Sequence, residues 1–167
     1  MRCFQLWVNL PGRGKMTDPK YQECAPESIP VATPAPGVTV KVSAGAVGNV
    51  IGPIAQPATD PVYLDVGLEA GASWQYLLPE GHNAFAYVFE GAVTLGDGED
   101  ARALEIKEMA VLGGGDLLQL RAGNQAARLI VVAGRPLREP VMRHGPFVMN
   151  TKQELMQAFV DFQEGRF

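Results

Sequence analysis

Apolar and polar residues alternate along most of this chain, in short runs separated by glycine and proline. Residues 4–10, FQLWVNL, put Phe4, Leu6, Val8 and Leu10 on one face and Gln5, Trp7 and Asn9 on the other. That pattern predicts a strand with one buried face. Residues 11–36 carry six prolines and are expected to cross a surface as irregular chain, pinned by Met16 and Tyr21. Alternation resumes with Val38, Val40 and Val42, and again with Val62, Leu64, Val66 and Leu68. Further short runs at 84–89, 92–95, 104–106, 111–112, 117–120 and 129–132 are separated by turn signals such as Gly96-Asp97-Gly98. Such even spacing predicts a sandwich or a closed barrel. The period changes near the C-terminus. Thr151 and Glu154 have capping-box spacing, Leu155, Met156, Phe159 and Phe162 form a helical stripe, and Gly165 suits the C′ position. Lys152, Gln153, Gln157 and Asp161 are expected to face away from that stripe.

Composition narrows the class without naming a chemistry. A chain of 167 residues with 47% apolar content can bury one sizeable core. The net charge of -4 argues against a nucleic-acid surface, and Arg135, Arg138 and Arg143 are interrupted by Glu139. Cys3 and Cys24 lack metal-type spacing, so they read as free thiols of a reducing compartment, and the expected location is cytoplasmic. No run approaches the roughly 20 apolar residues of a membrane span.

Residues 71–91, GASWQYLLPEGHNAFAYVFEG, have the skeleton of the first cupin motif, with Gly71 and Gly91 as its opening and closing glycines. Its three ligand slots fall on Leu77, Pro79 and Ala84, none of which can bind a metal. Gly115-Asp116 and Arg121-Ala122-Gly123 resemble the second motif, whose histidine slot falls on Ala126. An oxygen-activating metal typically asks for two His and a carboxylate on one face. The two histidines present, His82 and His144, match no slot. His82 reads as a surface residue in a turn. His144 reads as a loop residue that donates to a backbone carbonyl. Trp74, Tyr76 and Tyr87 are candidates to line an empty barrel mouth, although strand spacing also makes them ordinary core. Gly113-Gly114-Gly115-Asp116 leads into a strand rather than a helix, so it is not a phosphate loop, and no Ser or Cys sits in a nucleophile elbow.

Residues 4–10 followed by Lys15-Met16 and Tyr21-Gln22 resemble the middle of pirin proteins. Gly134-Arg135-Pro136-Leu137-Arg138-Glu139-Pro140 and the stretch from His144 through Gly145-Pro146-Phe147-Val148-Met149-Asn150 to Thr151 resemble their C-terminal end. The resemblance implies a bicupin in which iron sits only in the first barrel, on three His and a Glu, and which is linked to quercetin 2,3-dioxygenase activity. In pirins a stretch like FQLWVNLP follows the first cupin, so this chain is expected to carry the second.

The expected fold is all-β with a C-terminal helix, a cupin-type, jelly-roll-like double-sheet barrel. The expected domains are an N-terminal strand and Pro-rich linker at 1–36, a barrel at 37–140, and a loop and helix at 141–167. No metal is expected in this chain, and activity of the chain alone is not expected. A structural or interaction role leads, with Phe4, Leu6, Trp7, Val8, Leu155, Phe159 and Phe162 as interface candidates. The implied partners are a second copy or a separate N-terminal cupin chain, with no nucleic acid and no membrane. The rival is part of an iron-dependent quercetin 2,3-dioxygenase whose iron another chain supplies.

Overall fold

A computed structural model of the protein describes residues 3–166; Met1, Arg2 and Phe167 lie outside the described residues. The chain forms two compact units. One unit is residues 21–136, and the other joins residues 3–20 to residues 137–166. The reason is pairing. A strand within the proline-rich stretch joins the barrel, while the Gly12 amide is held by Glu139, 127 residues away, at 2.7 Å.

In the larger unit, β1 (Val31–Ala32) pairs with β2 (Val38–Ala44), and β3 (Ala46–Val47) forms a small hairpin with β4 (Val50–Ile51). After these come β5 (Val62–Leu68), β6 (Ser73–Leu77), β7 (Asn83–Glu90) and β8 (Val93–Leu95). The unit ends with β9 (Arg102–Leu104), β10 (Met109–Val111), β11 (Leu117–Ala122) and β12 (Ala127–Gly134). A six-stranded sheet has the order β1-β2-β5-β12-β7-β10, and a four-stranded sheet the order β6-β11-β8-β9. All the strand pairs are antiparallel.

Period-two alternation decides which face each sheet buries. Val40, Leu64, Val66, Val88, Leu129 and Val131 of the large sheet pack with Trp74, Tyr76, Leu118, Leu120, Val93 and Leu95 of the small one. This is a jelly-roll-like sandwich, as expected, whose two sheets face each other without closing into a hydrogen-bonded barrel. The opposite face of the six-stranded sheet carries a second apolar group, with Phe89, Ile130 and Val132 buried and Tyr63, Phe85 and Tyr87 half-buried. Arg128 lies over the Phe89 ring at 5.0 Å and pairs with Asp65 at 2.7 Å.

The smaller unit holds a 3-10 turn at Gly12–Gly14, a hairpin of β13 (Met142–His144) and β14 (Phe147–Met149), and the helix α1 (Lys152–Gln163). The capping box forms as the spacing predicts: Thr151 accepts from the Glu154 amide and the Glu154 carboxylate accepts from the Thr151 amide. Gly165 follows the helix at a φ of 69°, the left-handed conformation that suits glycine at C′. Asp161 departs from expectation. It is buried and accepts from Gln157 and Arg166 rather than facing water. Residues 4–10 also depart. They form no strand and pair with none among the described residues, and Leu6, Trp7 and Val8 are exposed. Among the described residues no helix is long and apolar enough to cross a membrane.

Candidate functional site

The two motif turns lie at opposite ends of the sandwich. β6 runs antiparallel to β11, and β7 antiparallel to β12. The Gly71 amide bonds to the Gly123 carbonyl at 2.8 Å, tying the start of the first motif to the turn of the second. Gly91 has a φ of 65°, and a side chain there would collide with the Ala126 carbonyl oxygen. Gly91 is therefore needed by the chain path itself, and Gly71 is favoured by its own φ of 76°.

The four ligand slots do not converge. Ala84 is buried beside Ala133, near the end of β12, whereas Ala126 is exposed just before the start of β12. At roughly 3.3 Å per residue these two positions stand about 20 Å apart. Leu77 is 68% exposed because Trp74 and Tyr76 take the inward positions of β6, and Pro79 lies in the following turn. None of the four offers a lone pair from a side chain. These four positions do not fit an iron ion. Among the described residues no group of three or more His, Cys, Asp or Glu is placed to hold a metal.

The aromatic candidates also separate. Trp74 and Tyr76 are buried in the inter-sheet core with ring centroids 5.2 Å apart. Tyr87 points to the other side of the six-stranded sheet, since Ala86 and Val88 occupy the inward positions of β7. The three do not form one pocket. The Tyr76 hydroxyl donates to the Ala46 carbonyl at 3.0 Å and so pins the β3–β4 hairpin, and burial pushes its pKa above the usual tyrosine value. Clefts of about 850 and 900 Å³ flank that hairpin, and both reach Ala46, Tyr76 and Leu77.

His82 is not a surface residue. Its side chain is 2% exposed, with Nε2 2.9 Å from the Asp60 carbonyl oxygen and Nδ1 3.3 Å from that of Glu80. Nε2 also lies 3.4 Å from the Asp60 carboxylate. The ring clips the turn before β7 to the 53–61 loop, and the Thr59 carbonyl of that loop accepts from the Arg135 amide at 2.7 Å. His144 is exposed and makes no hydrogen bond to a carbonyl among the described residues. It meets Phe159 edge-on, with centroids 5.4 Å apart.

The interface candidates divide as well. Leu155 is buried, and Phe159 packs with it, Met149, Ala158 and Phe147 onto the β13–β14 hairpin. That hairpin covers part of the helical stripe and leaves Met156, Val160 and Phe162 exposed. Phe4, Leu6, Trp7 and Val8 are exposed, Trp7 at 71%.

One polar cluster has no counterpart among the sequence-derived candidates. The Glu139 carboxylate accepts from the Gly12 amide at 2.7 Å and from Asn150 Nδ2 at 2.8 Å. These bonds, together with Lys15 and Arg13, hold its pKa below the usual carboxylate value. Lys15, whose ammonium bonds to Asn9, is shifted below the usual lysine value by burial, against the opposing pull of Glu139 and Glu154. The members come from both ends of the chain, so no local spacing could reveal the cluster.

A family model described as the pirin C-terminal cupin domain matches residues 63–167. The chain belongs to the pirin family. The pirin-like protein of Caulobacter vibrioides is 48% identical across all of this chain, which spans 59% of that protein. Human pirin is 39% identical over 98% of this chain, which spans 56% of it. A crystal structure of quercetin 2,3-dioxygenase from Acinetobacter baumannii matches with a TM-score of 0.86 at 37% identity, over 96% of this chain and 55% of that one. The similarity to these pirin relatives therefore covers little more than half of each. The described chain is a pirin-like C-terminal cupin, close to quercetin 2,3-dioxygenase homologues.

Proposed function

We propose that this pirin-family cupin acts as a structural or protein-interaction domain and holds no metal of its own. The observation that supports this reading most is the state of the ligand slots: Leu77, Pro79, Ala84 and Ala126 lack donor atoms and point to different places. The smaller unit supplies interaction surface in Trp7, Val8, Met156, Val160 and Phe162. Its occupant is a second cupin of the type that makes up the remaining length of the relatives. The N-terminal half of the Caulobacter pirin-like protein, produced as a separate chain, is the direct probe. A stable one-to-one complex, with iron in the partner alone, is the expected result. Stoichiometric iron in this chain purified by itself would overturn the reading.

A second reading is favoured by the likeness to the crystal structure of a quercetin 2,3-dioxygenase. In it, this domain completes an iron-dependent quercetin 2,3-dioxygenase whose iron the other cupin supplies. Quercetin consumption by the mixed chains, faster than by the iron-bearing half alone, would separate it from a purely structural role.

A further inference from the structure

Sheet edges are where a sandwich of this kind meets other chains, and natural edges are blunted by shortness, charge or proline. Three edges here are protected in that way. β1 has two residues, β10 has three, and β9 has three including Arg102. β6 is different: its five residues, Ser73-Trp74-Gln75-Tyr76-Leu77, include no charge and no proline.

The backbone of β6 is also open on one side. Leu78 N bonds to Asp116 O, and Ala122 N bonds to Ala72 O, so the even-numbered residues here are those bonded toward β11. In an antiparallel ladder the intervening residues turn their N–H and C=O the other way. Ser73, Gln75 and Leu77 thus present these groups to the free edge, where no described backbone group pairs with them. The cleft of about 850 Å³ is lined by all five residues of β6, by Ala46, Val47 and Gly48 of the β3–β4 hairpin, and by Gln119, Leu120 and Arg121 of β11.

The chain also carries a segment suited to such a groove. Residues 4–8, FQLWV, are uncharged and alternate, yet they form no strand. Gln5, Leu6, Trp7 and Val8 are exposed and make no backbone–backbone hydrogen bond among the described residues, although Trp7 and Val8 line a shallow cleft with Pro146 and Phe147. The arm has a fixed base, since Asn9 is bonded by Lys15 and Leu10 is half-buried.

We propose that residues 4–8 of a second copy of this chain add to the β6 edge as a fifth strand of the small sheet, in the cleft between β6 and the β3–β4 hairpin. Phe4, Leu6 and Val8 then lie on the face of Trp74 and Tyr76, and Gln5 and Trp7 on that of Ser73, Gln75 and Leu77. Reciprocal exchange of two arms gives a two-fold dimer. The proposal rests on the reading of the arm as an interaction element and names the groove that receives it.

Sedimentation equilibrium over a wide concentration range, with Gln75→Pro beside the unaltered chain, tests it. The Gln75 amide faces the empty edge, so proline there removes a donor for the arm without breaking the β6–β11 ladder. The unaltered chain should dimerise reversibly. Gln75→Pro should keep its circular dichroism and melting temperature and associate at least about tenfold more weakly. Leu77→Lys, a charge at an exposed position of the same edge, should do likewise and serves if the proline variant does not fold. A monomer at every concentration, or dimerisation undiminished in both folded edge variants, would refute the groove. Either variant should still bind the separate N-terminal cupin chain, at least as tightly as the unaltered chain because dimerisation no longer competes for Trp7 and Val8, so loss of the dimer and loss of the interaction role are read separately.

Discussion

Glu139 shows how a single carboxylate can join distant parts of a chain. Its pKa is lowered chiefly by the bond from the Gly12 amide and then by that from Asn150, so its charged form is favoured in the folded state. The stabilisation is present above the ordinary carboxylate range and is lost as pH falls through it to the depressed folded value. Asp161, lowered by Gln157 and Arg166, acts with the same sign. The melting temperature should therefore fall between about pH 5 and pH 3, and Glu139→Gln should flatten that limb without abolishing it. An acid limb as steep in the variant as in the unaltered chain would assign the effect elsewhere. Neither Glu139 nor His82 was legible in the sequence. Glu139 sits among arginines that read as a solvated face, and the partners of His82 include the carbonyl of Asp60, which carries no residue-type signal.

At the level of single elements, local signals were read well where their partners were also local. The capping box needs four consecutive positions, and all are in place. Thr151→Ala should cost about 1 kcal/mol, visible as an earlier melt of the helix by circular dichroism at 222 nm, and Thr151→Ser should restore most of it. The strands with neighbours on both sides also lie where the sequence puts them, β5 by alternation and β7 and β12 by the apolar runs at 84–89 and 129–132. Residues 4–10 have a comparable pattern and no ladder. Alternation shows that a segment could bury a face, and only a neighbouring edge can make it a strand. The helical stripe was half legible for a related reason: its period gives the apolar face, while the hairpin that covers Leu155 and leaves Phe162 exposed is a matter of tertiary structure.

Over the whole molecule, stability should be uneven. β5, β12 and β7 are central to the large sheet and carry Leu64, Val66, Val88, Leu129 and Val131 in the core. Hydrogen exchange should be slowest in these three strands, and faster in residues 3–20 and in the β13–β14 hairpin. Equal protection throughout would mean that the chain opens as one block. The fold class followed from strand spacing and turn glycines, whereas the open seam along β6 did not, because pairing across a sheet edge joins residues far apart in sequence. The collision that any side chain at Gly91 would suffer with the Ala126 carbonyl also bears on how such chains are recognised. A search that weights turn glycines will keep finding this fold whatever residues fill its ligand slots. A match at those positions reports the route of the backbone and says nothing of reactivity.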